Sequence, residues 1–105
     1  MKPALLRPQA EDDLVEIAQY YAREGGTQLG ERLIDAAIAA LKPLERMPQL
    51  GSPRLGIACE IPGLRAWRVS GFPLQWFYFE AAESLDVVRL LGDRQDIIAI
   101  LSGAE

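Results

Sequence analysis

The sequence predicts an α+β fold: an N-terminal strand, an antiparallel helical hairpin, a three-stranded antiparallel meander and a short C-terminal turn or helix. Three observations predict it. Apolar residues recur at helical spacing through the first half of the chain. A Gly25-Gly26 pair divides that pattern in two. Beyond the loop "MPQLGSPRLG" the period changes to short aromatic and branched runs separated by turn residues.

Taken in order, residues 1–6 are short and apolar, and Pro3 suits an edge strand but not a central one. Pro8 fits the first turn of a helix, where a missing N–H costs nothing. Glu11, Asp12, Asp13 and Glu16 follow at the helix start. They read as solvation and as complement to the helix dipole, not as an acid–base pair. Leu14, Ile17, Ala18 and Tyr21 form the apolar stripe, and Tyr20-Tyr21 should supply one core ring and one half-exposed ring. Thr27 is placed to cap the second helix, whose stripe is Leu29, Leu33, Ala37, Ala40, Leu41 and Leu44. Pro43 should kink its last turn or end it early. So short a connection makes the two helices antiparallel neighbours.

Residues 47–56 read as loop. Residues 64–69, 74–80 and 85–91 then read as the strands of the meander. Side chains alternate along a strand, so Trp76 and Tyr78 face one side while Phe77 and Phe79 face the other. Val87 and Val88 likewise serve opposite faces. Two helices cover one face of such a sheet. The other face is therefore expected to expose an aromatic patch, closed by a partner, a second copy or the chain's own loops. At the end, Asp93 or Asp96 can cap a short turn carrying Ile97, Ile98, Ile100 and Leu101, and Arg94 is expected to pair with a neighbouring carboxylate.

The 105 residues suit a single domain, 50% hydrophobic and 25% charged, which is globular and not disordered composition. The net charge of −4 argues against a general nucleic-acid binder, and no direct sequence-specific nucleic-acid binding is expected. Arg46, Arg54, Arg65 and Arg68 stand against Glu60 alone in the middle of the chain, a locally basic region that is either surface variation or a partner-facing patch. With no histidine, the usual general base near neutral pH is missing, and so is the commonest metal ligand. Cys59 is the only cysteine, which excludes an internal disulfide and a cysteine metal cluster; it reads as a small buried hydrophobe. No long apolar span is present and no signal-peptide core follows "MKPALLRPQA", so a cytoplasmic location is expected, with no membrane attachment. There is no phosphate-binding glycine loop, since "GLRAWRVSG" lacks the spacing and the following helix. No catalytic residue, cofactor or metal site is expected.

What remains is arginine. Arg65, Arg68 and Arg89 lie on strands and Arg94 at a strand end, suited either to phosphate or to a partner's carboxylates. Alternation separates Arg65 and Trp67 from Arg68, so the four do not converge.

The segments "AEDDLVEIAQYYA", "LKPLERMPQLGSPR", "IPGLRAWRVSGFPLQWFYFE" and "LDVVRLLGDRQDI", in that order over nearly the whole chain, resemble the ParE branch of the RelE/ParE toxin superfamily. These are the toxins of type II toxin–antitoxin modules, also called plasmid-stabilisation proteins. The family's glycine-Leu-Arg entry to the sheet matches Gly63, Leu64 and Arg65; its aromatic strand matches Trp76, Phe77 and Tyr78; its last-strand arginine matches Arg89. The ending departs from the pattern: Gly92 stands at a histidine place, Gln95 at an arginine place, and Arg94 comes one position early.

The resemblance implies a non-enzymatic toxin that inhibits DNA gyrase and is neutralised in a hetero-oligomer by a cognate antitoxin. An antitoxin- or target-binding surface is then expected from Arg65, Trp67, Arg68, Trp76, Tyr78, Arg89 and Arg94, with an acidic and apolar antitoxin segment ordering on the exposed sheet face. Two alternatives stand beside it: a RelE-like ribosome-dependent mRNA endonuclease, and a decayed, non-toxic homologue. The scarcity of lysine (Lys2 and Lys42), the acidic balance and a last tyrosine as early as Tyr78 favour the ParE branch.

Overall fold

A computed structural model describes residues 1–103. The elements run β1 (Ala4–Leu6), α1 (Pro8–Gly25), α2 (Thr27–Arg46), a 3-10 turn (Pro48–Leu50), α3 (Arg54–Ala58), β2 (Arg65–Arg68), β3 (Leu74–Glu80), β4 (Leu85–Gly92) and α4 (Ile97–Leu101). The strands form one mixed sheet of order β1-β4-β3-β2. The meander β2–β3–β4 is antiparallel, and β1 joins it at the β4 edge in parallel. Parallel pairing is available here because the helical hairpin carries the chain back across the sheet.

Pro8 opens α1 as its composition predicts. Gly26, at φ +97°, reverses the chain between the helices and also serves as the N-cap of α2. Thr27 is therefore already helical and makes no side-chain cap, contrary to expectation. Pro43 does not end α2, which runs on to Arg46. It sits in the last turn, where a single missing donor is tolerated.

The α1–α2 layer covers one face of the sheet. Trp76, Tyr78, Leu85, Val87 and Leu90 meet Leu33, Ala37, Leu41 and Leu44 there, with Leu14, Ile17, Tyr21 and Trp67 packed at the margin. A bulge lets β4 supply this core from both parities: Phe77 pairs with Arg89 but Tyr78 pairs with Val87, so Val88 is an extra residue. Val87 and Leu90 thereby face the helices while Val88 and Leu91 face away.

The opposite face overturns one expectation. Phe77 is wholly buried, not displayed, and it clusters with Leu64, Ala66 and Leu91 beneath Leu55, Ile61, Ile97, Ile100 and Leu101. The chain closes this face itself, from α3 and the segment after it on one side and from α4 on the other. Part of the stretch read as plain loop is thus a helix. Gly56 makes its approach possible, because a Cβ there would collide with the Leu64 carbonyl oxygen. Cys59 follows α3 as a free, half-buried thiol.

Candidate functional site

Most of the residues proposed as a binding surface are engaged within the chain. Trp76 and Tyr78 are both 0% exposed, so neither presents a ring to solvent. The Trp76 indole Nε1 donates to the Ala37 carbonyl at 2.8 Å, and that of Trp67 donates to Ala40 at 2.8 Å. The two tryptophans therefore fasten the sheet to α2. Arg65 donates to the carbonyls of Gln49 and Gly51 at 3.1 and 2.7 Å and so fixes the loop after α2.

The Tyr78 hydroxyl holds the same loop from below, donating to the Pro48 carbonyl at 2.6 Å and accepting from the Gly51 N–H at 2.9 Å. Burial is the main reason its phenol is held above the ordinary tyrosine value, with the Gly51 hydrogen bond opposing. The folded state therefore holds this proton more tightly than the unfolded chain does. Its contribution is complete below the unfolded value of about 10 and is lost as pH rises through the folded one. We expect Tyr78→Phe to lower stability by about 1–3 kcal/mol at neutral pH, since it strands a backbone donor and a carbonyl. The deficit should shrink in alkaline urea melts, and a constant deficit would contradict this assignment.

Two of the candidate arginines make bidentate ion pairs, as Arg7 also does with Asp86. Arg68 holds Asp93 at 3.2 and 2.7 Å in the open, and the hydrogen bond from Arg68 keeps the Asp93 carboxyl below the usual carboxylate range. Exposed pairs of this kind add about 0–1 kcal/mol. Arg89 holds Asp13 of α1 at 2.8 and 3.0 Å in a more sheltered position. Asp13 also accepts from the Leu90 N–H at 2.9 Å, so it is a sheet ligand and not the solvated dipole complement expected. Arg94 makes no hydrogen bond or ion pair among the described residues, and the carboxylate nearest to it in sequence, Asp93, belongs to Arg68 instead. Three of the four arginines are thus held by acceptors within the chain, and Arg68 is held at Asp93, next to Arg94.

A cavity of about 250 Å³ lined by Phe79, Val88 and Arg89 remains on the far face, and larger open surfaces lie elsewhere. One is a groove of about 830 Å³ between β1 and the helices, lined by Leu5, Leu6, Leu14, Val15 and Ile38 with Glu11 and Asp12 at its rim. Leu5 is 57% and Val15 53% exposed, and Ile34 is exposed one turn before Ile38. β1 is the edge strand here, and its outward Ala4 N–H is taken by the Glu45 carboxylate of α2 at 3.0 Å. The second surface is a cavity of about 440 Å³ at the other end of α1, lined by Tyr20, Tyr21, Leu29, Leu74 and Arg94 among others. Sequence reasoning missed both. The signal for the first was present: Val15, Ile34 and Ile38 are large apolar residues lying off the inward stripes of their helices.

The family description that matches residues 4–101 is "ParE toxin of type II toxin-antitoxin system, parDE". The chain belongs to the ParE toxin family. Among solved structures, the ParE-family fold seen here is similar to a chain of the chromosomal ParDE TA system from P. aeruginosa. The TM-score is 0.76 at 19% identity, covering 88% of this chain and 96% of that one. No curated protein sequence matches. In this ParE-family toxin no helix among the described residues is long and apolar enough to cross a membrane.

Proposed function

We propose that this toxin acts by binding and not by cutting: it inhibits DNA gyrase in the cytoplasm and is held inactive by a cognate antitoxin in a hetero-oligomer. The observation that carries this is that three of its four candidate arginines are already engaged within the chain. Arg65, Arg68 and Arg89 are each held by acceptors within the chain. Cleaving RNA without a histidine requires several cations preorganised around one phosphate. Nothing in this arrangement supplies that convergence.

The antitoxin's seat, in this reading, is the β1 groove and not the sheet's second face. Its apolar wall suits leucine- or valine-type side chains, and Glu11 and Asp12 favour basic residues at the rim.

Purified toxin, added to gyrase and relaxed plasmid, should block supercoiling, while message in a translating extract stays intact. Normal supercoiling together with cut message would reverse the assignment.

A further inference from the structure

The run 92–96 joins β4 to α4, and the side chains of Asp93, Gln95 and Asp96 each make a hydrogen bond within the chain. The Gly92 N–H donates to the Gln95 side-chain oxygen at 2.6 Å. The Asp93 N–H donates to the Pro73 carbonyl at 2.9 Å while its carboxylate takes Arg68. Asp96 caps α4, accepting from the Ala99 N–H at 3.2 Å. Arg94 alone is left over. It is carried on a turn fixed on either side, in the lining of the cavity at the end of α1.

The facing wall is aromatic and also fixed. Tyr20 is 52% exposed, and it meets Tyr21 edge-on with ring centres 5.5 Å apart. Tyr21 meets Phe72 in the same way at 5.5 Å. Leu29 adds apolar surface, with the nearly buried Leu74 at the floor. An arginine without an internal partner beside an exposed, braced tyrosine has the composition of a protein-binding hot spot, and the tyrosine ring loses little freedom on engagement.

Charge selects the occupant. Arg94 offers a bidentate fork to one carboxylate. Glu24, in the same lining, has no ion pair among the described residues and repels a second anion. The chain as a whole is at −4. A phosphate backbone, with charge at every step, is disfavoured on both counts.

We propose that this cavity binds a linear segment of a partner protein in which an aromatic or long aliphatic side chain is followed closely by a single carboxylate. The apolar side chain lies against Tyr20, Leu29 and Leu74, and the carboxylate pairs with Arg94. The inference builds on the reading that the toxin works by binding protein, and it gives that partner a chemistry without depending on gyrase.

The test is selection of a random linear-peptide library on the immobilised full chain, in wild-type, Arg94→Ala, Tyr20→Ala and Glu24→Gln forms. Arg94 and Tyr20 are surface residues, so unchanged melting temperatures identify folded variants. Wild type should enrich an apolar residue adjacent to one Asp or Glu. Arg94→Ala should weaken the selected peptides by about tenfold or more and lose the acidic preference. Tyr20→Ala should lose the apolar preference, and Glu24→Gln should admit doubly acidic peptides. No enrichment, or the same peptides on Arg94→Ala, overturns the proposal, as does tighter Arg94-dependent binding of single-stranded RNA than of any peptide. Failure of the gyrase reading would show separately, as unaffected supercoiling beside intact peptide selection.

Discussion

Trp76→Ala should cost about 3–5 kcal/mol in urea melts, a large part of the roughly 5–15 kcal/mol that holds a domain of this kind folded. The indole sits at the centre of β3 with no exposed surface, against Ala37 and Leu41 of α2, and its N–H reaches the Ala37 carbonyl. Truncation leaves a cavity that two packed layers cannot close. Trp76→Phe keeps most of the volume and loses only the hydrogen bond, so it should cost clearly less. The pair separates structure from recognition. Trp76→Phe should bind an antitoxin as wild type does, while any loss in Trp76→Ala should follow its unfolded fraction. Weakened binding by a fully folded Trp76→Phe would return Trp76 to the interaction surface.

Asp13→Ala should cost about 2–4 kcal/mol, more than any other carboxylate of α1. Asp13 is only 13% and Arg89 21% exposed, so removing the carboxylate leaves a sheltered guanidinium without its counter-charge. It also strands the Leu90 N–H. β1 pairs with β4 only as far as Val87, and beyond that point Asp13 takes over as acceptor along β4's outer edge. Asp13→Asn keeps that acceptor and loses the charge, so it should fall between wild type and alanine. Glu11→Ala and Asp12→Ala, at the exposed rim, should shift stability by less than about 0.5 kcal/mol. Equal effects at all three positions would mean that Asp13 is an ordinary surface acid.

The long elements were legible because each carries its own period. The helices show apolar stripes broken by Gly25-Gly26, and β3 and β4 fall at or within a residue of the expected bounds. The parts that were not legible are too short to have a period. α3 is five residues with a glycine inside and a proline before it, and its apolar contacts to the second cluster come from one turn. Overlooking α3, and allowing α4 no part in covering the sheet, made one face look bare. Trp76 and Tyr78 were then given to that face, although they point at α1 and α2 and it is Phe77 that lies under α3 and α4. Asp13 is different, since its signal was available. It lies four residues before Ile17 and eight before Tyr21, on the inward stripe, where an acid needs a buried partner. The Tyr20 cavity was not readable at all, because it is assembled from α1, α2, the start of β3 and the end of β4.

The parallel seam between β1 and β4 ties the first few residues to nearly the last. A ribosome making this protein must therefore release the chain through β4 before its sheet can be completed. The contacts that finish it are among the most distant the sequence allows, which makes maturation slow relative to the hairpin's own collapse. A cell translating the message thus has an interval in which the poison exists as chain but not yet as weapon. The β1 groove forms only when that interval closes, so an antidote seated there would recognise the finished molecule and ignore the nascent one.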